Sequence, residues 1–240
     1  MTDKTRDTKE ALKPFVRKDG FNSVSEVAIT GGYAYATDGR VAVKVKVDEE
    51  LPDGLPKDFP LKSLNEILDD AKSRANLRYK LSRDGIAAYI EAYKADFKRW
   101  MNKERETRRL WREGLEVAKC PCCGAYLYID GDELLTEDEL AQKEKEDAIN
   151  PEWHEWVCLL RLGEGDGNTA HFQFRFIKDL LDLSPEWKVG GVYRNEDGTI
   201  NMLYGEATDG EKRFVVMSMV ISTSSKKERV KAVIDCEEAE

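Results

Sequence analysis

Residues 33–47 read YAYATDGRVAVKVKV, the stretch with the clearest structural pattern in the chain. Asp38-Gly39 is a dipeptide typical of tight hairpin turns. After this turn, valines alternate with small or basic residues up to Val47, and a period of two is typical of a strand with one buried face. The stretch therefore predicts a hairpin whose second strand turns Lys44 and Lys46 towards solvent.

An internal repeat surrounds this hairpin. The tetrapeptide ATDG at 36–39 recurs at 207–210, and each copy precedes an apolar strand. A helix and two strands are predicted before each copy, in the same order. Because the tetrapeptide and the element order recur together, we interpret the pattern as a duplication. Asp38 and Asp209 also form a candidate carboxylate pair, but their Asp-Gly setting favours a role in turns.

A third, middle unit at 59–90 lacks the last strand of the pattern. A capping box of Ser63 and Glu66 predicts the start of its helix. The apolar stripe of this helix comprises Leu64, Ile67, Leu68 and Ala71. Two strands, at 77–81 and 86–90, are predicted to flank a turn at Asp84-Gly85.

Further elements are predicted from shorter patterns. A short helix is expected at 10–16, and alternating phenylalanines predict a strand at 172–176. A short helix then carries Ile177, Leu180 and Leu181. The tail at 223–240 is expected to add an edge strand or to be disordered.

The composition is typical of a folded, well-solvated protein. The 240 residues are 41% hydrophobic and 35% charged, with a net charge of −9. No apolar run approaches the roughly 20 residues of a membrane span, and residues 1–13 lack the apolar segment of a signal peptide. The five cysteines are odd in number and irregularly spaced, unlike a secreted disulfide framework. We therefore expect a cytoplasmic protein without membrane association.

Residues 93–153 interrupt the repeats and are expected to form an insertion. A long helix is predicted at 92–119, and Thr136 with Glu139 predicts the cap of another helix. A solvated helical hairpin is the simplest interpretation. The predicted organisation is two repeats at 1–92, the insertion at 93–153, a third repeat at 154–222 and the tail.

These patterns resemble the DNA sliding clamps, and the bacterial polymerase III beta subunit in particular. The resemblance rests on the hairpin at 35–47, the helix at 62–71 and the late strand VVMSMV at 215–220. It covers residues 8–92 and 155–222. It implies an α+β fold of repeated strand-helix-strand units that form antiparallel sheets, to which the insertion adds a helical, zinc-knuckle-like segment.

The resemblance also implies a function. The protein would be a non-catalytic processivity factor, or a derived tether for replication or repair proteins, from a phage or mobile element. Its partners would be duplex DNA, bound without sequence preference, and clamp-binding proteins. Three half-units are fewer than a bacterial clamp subunit has, so a closed ring would require a homo-oligomer. In this family the late strand helps to form a partner-peptide pocket, which implies Val216, Met217 and Met219 here; Ser218 stands where the family has proline.

DNA contact in a clamp requires basic residues on the inner helices, since positive charge attracts phosphate without reading sequence. The candidates lie on or beside the three predicted helices of the repeats. They are Lys9, Lys13, Arg17, Lys18, Lys62, Lys72, Arg74 and Lys178. Charged residues also commonly coat solvated helix faces, and Asp179 and Asp182 oppose DNA contact on the third helix.

Residues 120–124 read CPCCG, which fits a zinc knuckle in which Cys120 and Cys123 bind one ion. A tetrahedral site needs two more ligands, and the candidates are His154 and Cys158. The apolar run around Cys158 fits a buried strand equally well. Structural zinc is therefore the one cofactor that the sequence suggests.

Catalysis has little support in the sequence. The chain has two histidines, His154 and His171, and no nucleophile-elbow or phosphate-loop motif. We therefore expect no enzymatic activity. Two alternatives to the DNA clamp stay open: an interaction or regulatory module of clamp fold that does not encircle DNA, and an enzyme of unknown type.

Overall fold

The computed structural model describes residues 3–16, 25–47, 53–120, 122–123, 125–146, 156–163, 168–193, 200–219 and 230–239. Two compact units are present. The first comprises Met1–Ile90 with Glu155–Glu240, and the second comprises Glu91–His154. The bounds of the second unit differ by two residues or fewer from those of the insertion predicted at 93–153.

The chain forms five helices and thirteen strands within the described residues. They are α1 (Asp3–Leu12), β1 (Ala28–Thr30), β2 (Tyr33–Thr37), β3 (Val41–Lys46), α2 (Leu61–Arg74), β4 (Tyr79–Ser82), α3 (Ala87–Gly114), β5 (Glu116–Lys119), β6 (Tyr126–Asp130), β7 (Glu133–Leu135), α4 (Glu137–Glu146), β8 (Val157–Leu162), β9 (Thr169–Gln173), α5 (Phe174–Leu183), β10 (Glu186–Tyr193), β11 (Ile200–Ala207), β12 (Lys212–Met217) and β13 (Val230–Glu238). The α+β class predicted from the sequence is confirmed.

The first unit is built on a ten-stranded sheet with the order β1-β2-β3-β12-β11-β10-β4-β13-β8-β9. Strands β1-β2-β3 form one antiparallel meander and β10-β11-β12 form another. The two meanders join through an antiparallel pair of β3 and β12. The prediction of purely antiparallel sheets is wrong, because β13 pairs with β8 in parallel. A parallel pair needs a long crossover connection, and residue patterns within a strand do not reveal one.

Both ATDG copies form the predicted turns. In the first, Asp38 Oδ1 accepts hydrogen bonds from the N–H groups of Arg40 and Val41, at 2.8 and 3.0 Å. In the second, Asp209 Oδ1 accepts one from the N–H of Glu211 at 2.9 Å. The glycine that follows each aspartate has a positive φ, +89° and +72°, a conformation that glycine adopts at little cost. The aspartates therefore hold turns, as the Asp-Gly context predicts.

The hairpin predicted in the middle unit is wrong. Asp84–Ile86 forms a 3₁₀ turn that leads directly into α3. Ile86 and Ile90 are both buried, and apolar residues four apart fit one face of a helix. The five residues at 86–90 are too few to distinguish this period from that of a strand. Helix α3 begins at Ala87, five residues before the helix predicted at 92.

Two helix starts also differ from the sequence predictions. Helix α2 begins at Leu61 after Pro60, with no side-chain cap, so the capping box of Ser63 and Glu66 does not form. Phe174 and Phe176 lie in α5 rather than in a strand. They share the buried face of α5 with Ile177, Leu180 and Leu181, the residues predicted to be helical.

At the N-terminus, the helix predicted at 10–16 is divided. Helix α1 ends at Leu12, and Lys13–Phe15 forms a 3₁₀ turn with Pro14 in its first positions. Proline is tolerated there because the first N–H groups of a helix have no partner within it. Leu12 and Phe15 are fully buried.

The core of the first unit lies on both faces of the sheet. On one face, Leu64, Leu68 and Ala71 of α2 pack into a cluster with Tyr204 and Val215. On the other face, Trp187 is fully buried. Its indole N–H donates to the Leu180 carbonyl at 2.9 Å, and its ring meets Phe214 edge-on with 4.9 Å between the ring centroids.

Strand β13 is an interior strand of the sheet, so the expectation of an edge strand or a disordered tail is wrong for these residues. It lies between β4 and β8. Ala232, Ile234 and Cys236 are buried, whereas Lys231 and Asp235 are exposed. The sequence of β13 shows this alternation as clearly as that of β3 does. The place of β13 in the sheet, however, depends on strands that are distant in the sequence.

The second unit contains most of α3, the three-stranded sheet β5-β6-β7 and α4. The predicted cap of α4 is confirmed. The Thr136 N–H donates to Glu139 Oε2 at 2.8 Å, and the Glu139 N–H donates to Thr136 Oγ1 at 3.3 Å. Arg112 pairs with Glu137.

Among the described residues, no helix is both long and apolar enough to span a membrane.

Candidate functional site

An apolar groove of about 500 Å³ lies between α2 and the sheet of the first unit. Its floor contains Val41 and Ala42 of β3 and Val215 of β12, all buried. Ligand clefts in proteins typically measure about 300–1,000 Å³. We name this cavity the α2 groove.

Two large apolar side chains line the groove while remaining largely open to solvent. Ile67 of α2 is 46% exposed and Met217 of β12 is 47% exposed. Met202, which pairs with Met217 in the sheet, continues the lining. Methionine is flexible and polarisable, so it adapts to differently shaped partners. The sequence predicts Ile67 on the inner stripe of α2, but the helix rotation leaves it beside the groove.

The charged residues that line the groove are Arg40, Glu66 and Asp70. Glu66 lies 3.9 Å from Lys62, and Asp70 lies 3.1 Å from Arg74. All four side chains of these two pairs are more than 40% exposed, and exposed ion pairs contribute at most about 1 kcal/mol. Both carboxylates can therefore exchange these lysine and arginine partners for a basic ligand.

The Thr37 side chain, which lines the groove, is already hydrogen-bonded within its own turn. The Thr37 hydroxyl donates to the Val41 carbonyl at 2.7 Å and accepts the Gly39 N–H at 3.1 Å. A small-molecule site usually adds several convergent polar groups to its apolar lining. This lining suits apolar side chains better than a polar metabolite.

The structure places one of the three predicted pocket residues, Met217, in the groove. Val216 is fully buried on the other face of the sheet, because successive strand residues alternate in direction. Met219 lies beyond β12, where its N–H donates to the His171 carbonyl at 2.7 Å. Val215 lines the groove in place of Val216. The alternation of side chains along a strand places Val215 on the same face as Met217.

Most of the predicted DNA contacts are ion-paired. Lys13 lies 2.5 Å from Glu10. Lys72 lies 3.1 Å from Glu206. Lys62 pairs with Glu66, and Arg74 pairs with Asp70. Arg74 also donates a hydrogen bond to the Tyr193 carbonyl at 2.6 Å. Each positive charge on α2 thus has an acidic neighbour.

The remaining predicted DNA contacts lie on α1, on α5 or outside the described residues. Lys178 lies 3.0 Å from Asp179 and 2.7 Å from Asp182. Burial raises the pKa of Asp179, and the neighbouring Lys178 only partly offsets this effect. Lys9 is half-buried on α1. Arg17 and Lys18 lie outside the described residues.

A cysteine cluster lies between β5 and β6 in the second unit. The Sγ atoms of Cys120, Cys122 and Cys123 lie within 4.8 Å of one another, and those of Cys120 and Cys122 are 2.8 Å apart. The Cys120 N–H donates to the Ala125 carbonyl at 2.8 Å, which closes the hairpin around the cluster. Three thiols this close could hold a metal ion.

The cluster also alters thiol acidity. Hydrogen bonding by the Cys122 thiol, together with the N–H groups of Cys122 and Cys123, lowers the pKa of Cys120 to about 7. The same contact with the Cys120 thiol raises the pKa of Cys122. A thiol with a pKa near 7 is substantially ionised at neutral pH, and the thiolate is the form that binds metals.

Of the two further ligands predicted for the metal, Cys158 is not a member of the described cluster. Cys158 is fully buried in β8 of the first unit, where its thiol donates to the Phe172 carbonyl at 3.5 Å. Burial raises the pKa of Cys158 to about 12. His154 lies outside the described residues, as do Pro121 and Gly124 of the knuckle motif. Cys122, which is not among the ligands predicted from the sequence, is part of the cluster.

Comparisons with family models, curated proteins and solved structures gave no match to this chain. Its function is therefore inferred from the α2 groove and the cysteine cluster.

Proposed function

We propose that this protein is a non-catalytic, clamp-like tether that holds a partner protein by binding a short extended peptide in the α2 groove. The observation that carries this proposal is the apolar groove with Ile67 and Met217 open to solvent. Exposed apolar surface of this kind commonly marks an interaction site. The clamp resemblance of the sequence suggests replication or repair proteins as the partner class.

The groove lining suggests the chemistry of the peptide. Its floor and walls suit two large apolar side chains, such as leucine or phenylalanine. Glu66 and Asp70 favour a basic residue beside them, because their own partners are exposed and weakly held. We therefore expect a peptide that combines apolar anchors with at least one lysine or arginine.

A double substitution, Ile67→Glu with Met217→Glu, tests the groove. Peptides are first selected on the wild-type chain from a displayed library of random heptapeptides, and their dissociation constants are then measured by fluorescence polarisation. Loss of contact with two apolar side chains, at about 1.5–3 kcal/mol for each fully buried one, predicts at least about tenfold weaker binding. A charge-reversed groove, Glu66→Lys with Asp70→Lys, is expected to weaken peptides that contain lysine or arginine.

Leu55→Glu is the matched control for this experiment. Leu55 is 52% exposed in the same unit and does not line the groove. This variant should bind the selected peptides as the wild type does. Equal binding by the double groove variant, with its fold intact by circular dichroism, would contradict the proposal.

The ion pairs favour a second candidate function, an interaction or regulatory module of clamp fold that does not encircle DNA. Lys13, Lys72, Arg74 and Lys178 each lie within 3.1 Å of a carboxylate. A paired cation attracts phosphate less strongly, because its neighbour cancels much of the field. The overall charge of −9 acts in the same direction.

Oligomeric state and DNA topology separate the two candidates. Light scattering gives the mass in solution, and gel filtration then measures retention on nicked circular and linear duplexes of equal length. A DNA-encircling tether must be an oligomer and must remain on the circle longer than on the linear duplex. A monomer retained on neither DNA supports the second candidate and excludes encirclement.

We also propose that the cysteine cluster binds zinc in a structural role. Cys120 and Cys123 occupy the outer positions of a knuckle at the end of the β5–β6 hairpin. Bound zinc would cross-link the two ends of this connection and so favour the folded hairpin.

A further inference from the structure

We propose that Cys122 is a third metal ligand, so that the cluster binds one thiophilic ion through three thiolates rather than two. This inference rests on the metal-binding role proposed above, and it assigns the ligand set and the class of ion. The class comprises soft ions that accept three sulfur ligands, such as cadmium, copper(I) and arsenic(III), together with zinc that takes its fourth ligand from solvent.

The distances between the sulfur atoms fit this ligand set. With a metal–sulfur bond of about 2.3 Å, three thiolates around one ion lie about 4 Å apart. In the structure the three Sγ atoms lie within 4.8 Å of one another, with 2.8 Å between Cys120 and Cys122. Shifts of about 1 Å therefore bring all three to a common ion. Side-chain rotation can supply such shifts, since Cys122 and Cys123 are exposed.

The chemistry of the donor set selects soft ions. The cluster contains three cysteines and no imidazole or carboxylate among the described residues. Magnesium and calcium prefer oxygen ligands, whereas thiolates favour copper(I), zinc and related ions. A site of three sulfurs therefore discriminates against the abundant hard cations.

The exposure of the cluster argues against a packing role for Cys122. Unpaired cysteine is among the most buried residue types and usually acts as a small apolar side chain. Cys158 and Cys236 of this chain follow that rule, since both are buried. Cys122 and Cys123 are exposed instead, so packing does not explain why three thiols meet on one hairpin.

Metal titration of four proteins tests the assignment: the wild type, Cys122→Ser, the double variant Cys120→Ser with Cys123→Ser, and Cys158→Ala as the control for a thiol outside the cluster. Cadmium is added under reducing, oxygen-free conditions, and the ultraviolet thiolate-to-cadmium absorption is followed. Arsenite serves as a second probe. Each arsenite that binds three thiols forms three As–S bonds, and the three thiol protons leave with its three hydroxyl groups as water.

We expect the wild type and Cys158→Ala to bind one ion per chain with the absorption of three thiolates. Cys122→Ser should bind cadmium at least tenfold more weakly and should lose the arsenite complex. If Cys122→Ser binds both probes as the wild type does while the double variant binds neither, Cys122 is not a ligand, although the metal-binding role stands. If the wild type binds zinc, cadmium and arsenite no better than the double variant does, both proposals fail.

Discussion

A chain that ends at residue 229, without β13, is expected to lose the folded state of its first unit. Strand β13 lies between β4 and β8, so its removal leaves each of these strands with one partner instead of two, β10 for β4 and β9 for β8. It also removes the buried side chains of Ala232, Ile234 and Cys236. These losses sum to about 5–10 kcal/mol, which is comparable to the whole stability of a typical domain.

Circular dichroism and thermal melting measure this effect. The control is a chain that ends at Glu238, which keeps all of β13 and, among the described residues, loses the hydrogen bond from the Ala239 N–H to the Arg78 carbonyl at 2.7 Å. The control should melt within a few degrees of the full chain, whereas the shorter chain should show no cooperative transition for the first unit. A cooperative transition near that of the full chain would show that β13 is dispensable.

Trp187→Ala is expected to destabilise the first unit by about 3–5 kcal/mol. The side chain is fully buried, so its removal leaves a large cavity between α5 and the sheet. The variant also loses the hydrogen bond to the Leu180 carbonyl and the edge-on contact with Phe214. The Leu180 carbonyl keeps the hydrogen bond from the Ser184 N–H at 2.9 Å, so most of the expected cost comes from lost packing.

Urea denaturation followed by far-ultraviolet circular dichroism measures this cost, because backbone structure dominates the signal. Trp187→Phe is the matched control, since it keeps an aromatic ring against Phe214 while it removes the indole donor and a small part of the side-chain volume. The control should cost about 1 kcal/mol for the lost hydrogen bond, together with a smaller packing loss. A cost below about 1 kcal/mol for the alanine variant would mean that the surrounding residues close the cavity.

Local patterns predicted the features that depend on a few neighbouring residues. The turns at Asp38-Gly39 and Asp209-Gly210 form because a carboxylate and a positive-φ glycine act within four residues. The cap of Thr136 with Glu139 is equally local. The strand β3 follows from its period of two, which survives in the buried side chains of Val43 and Val45.

Features that depend on residues beyond a short stretch of sequence escaped prediction. Ile86 and Ile90 fit either a strand or a helix, and the continuation into α3 decides between the two. The place of β13 depends on β4 and β8, which precede it by well over sixty residues. Sequence periodicity shows which face of a strand is buried, but it does not show which strands lie beside it.

The candidate sites divide in the same way. Met217 was predicted from a resemblance and lies in the α2 groove, while the opposite wall at Ile67 depends on how α2 rotates against the sheet. The cysteine run is visible in the sequence, but only the folded hairpin shows that Cys122 lies 2.8 Å from Cys120.

The pairing of β3 with β12 gives the first unit an internal counterpart of a homodimer contact. Counting from the ATDG turns, Val43 and Phe214 are equivalent residues, and they face each other in the register. Val41 faces Val216, while its own equivalent, Lys212, faces Val45. This reciprocity is the hallmark of an isologous interface between two-fold-related subunits. The chain therefore holds, within one polypeptide, a self-complementary contact that two separate halves would otherwise have to form by association.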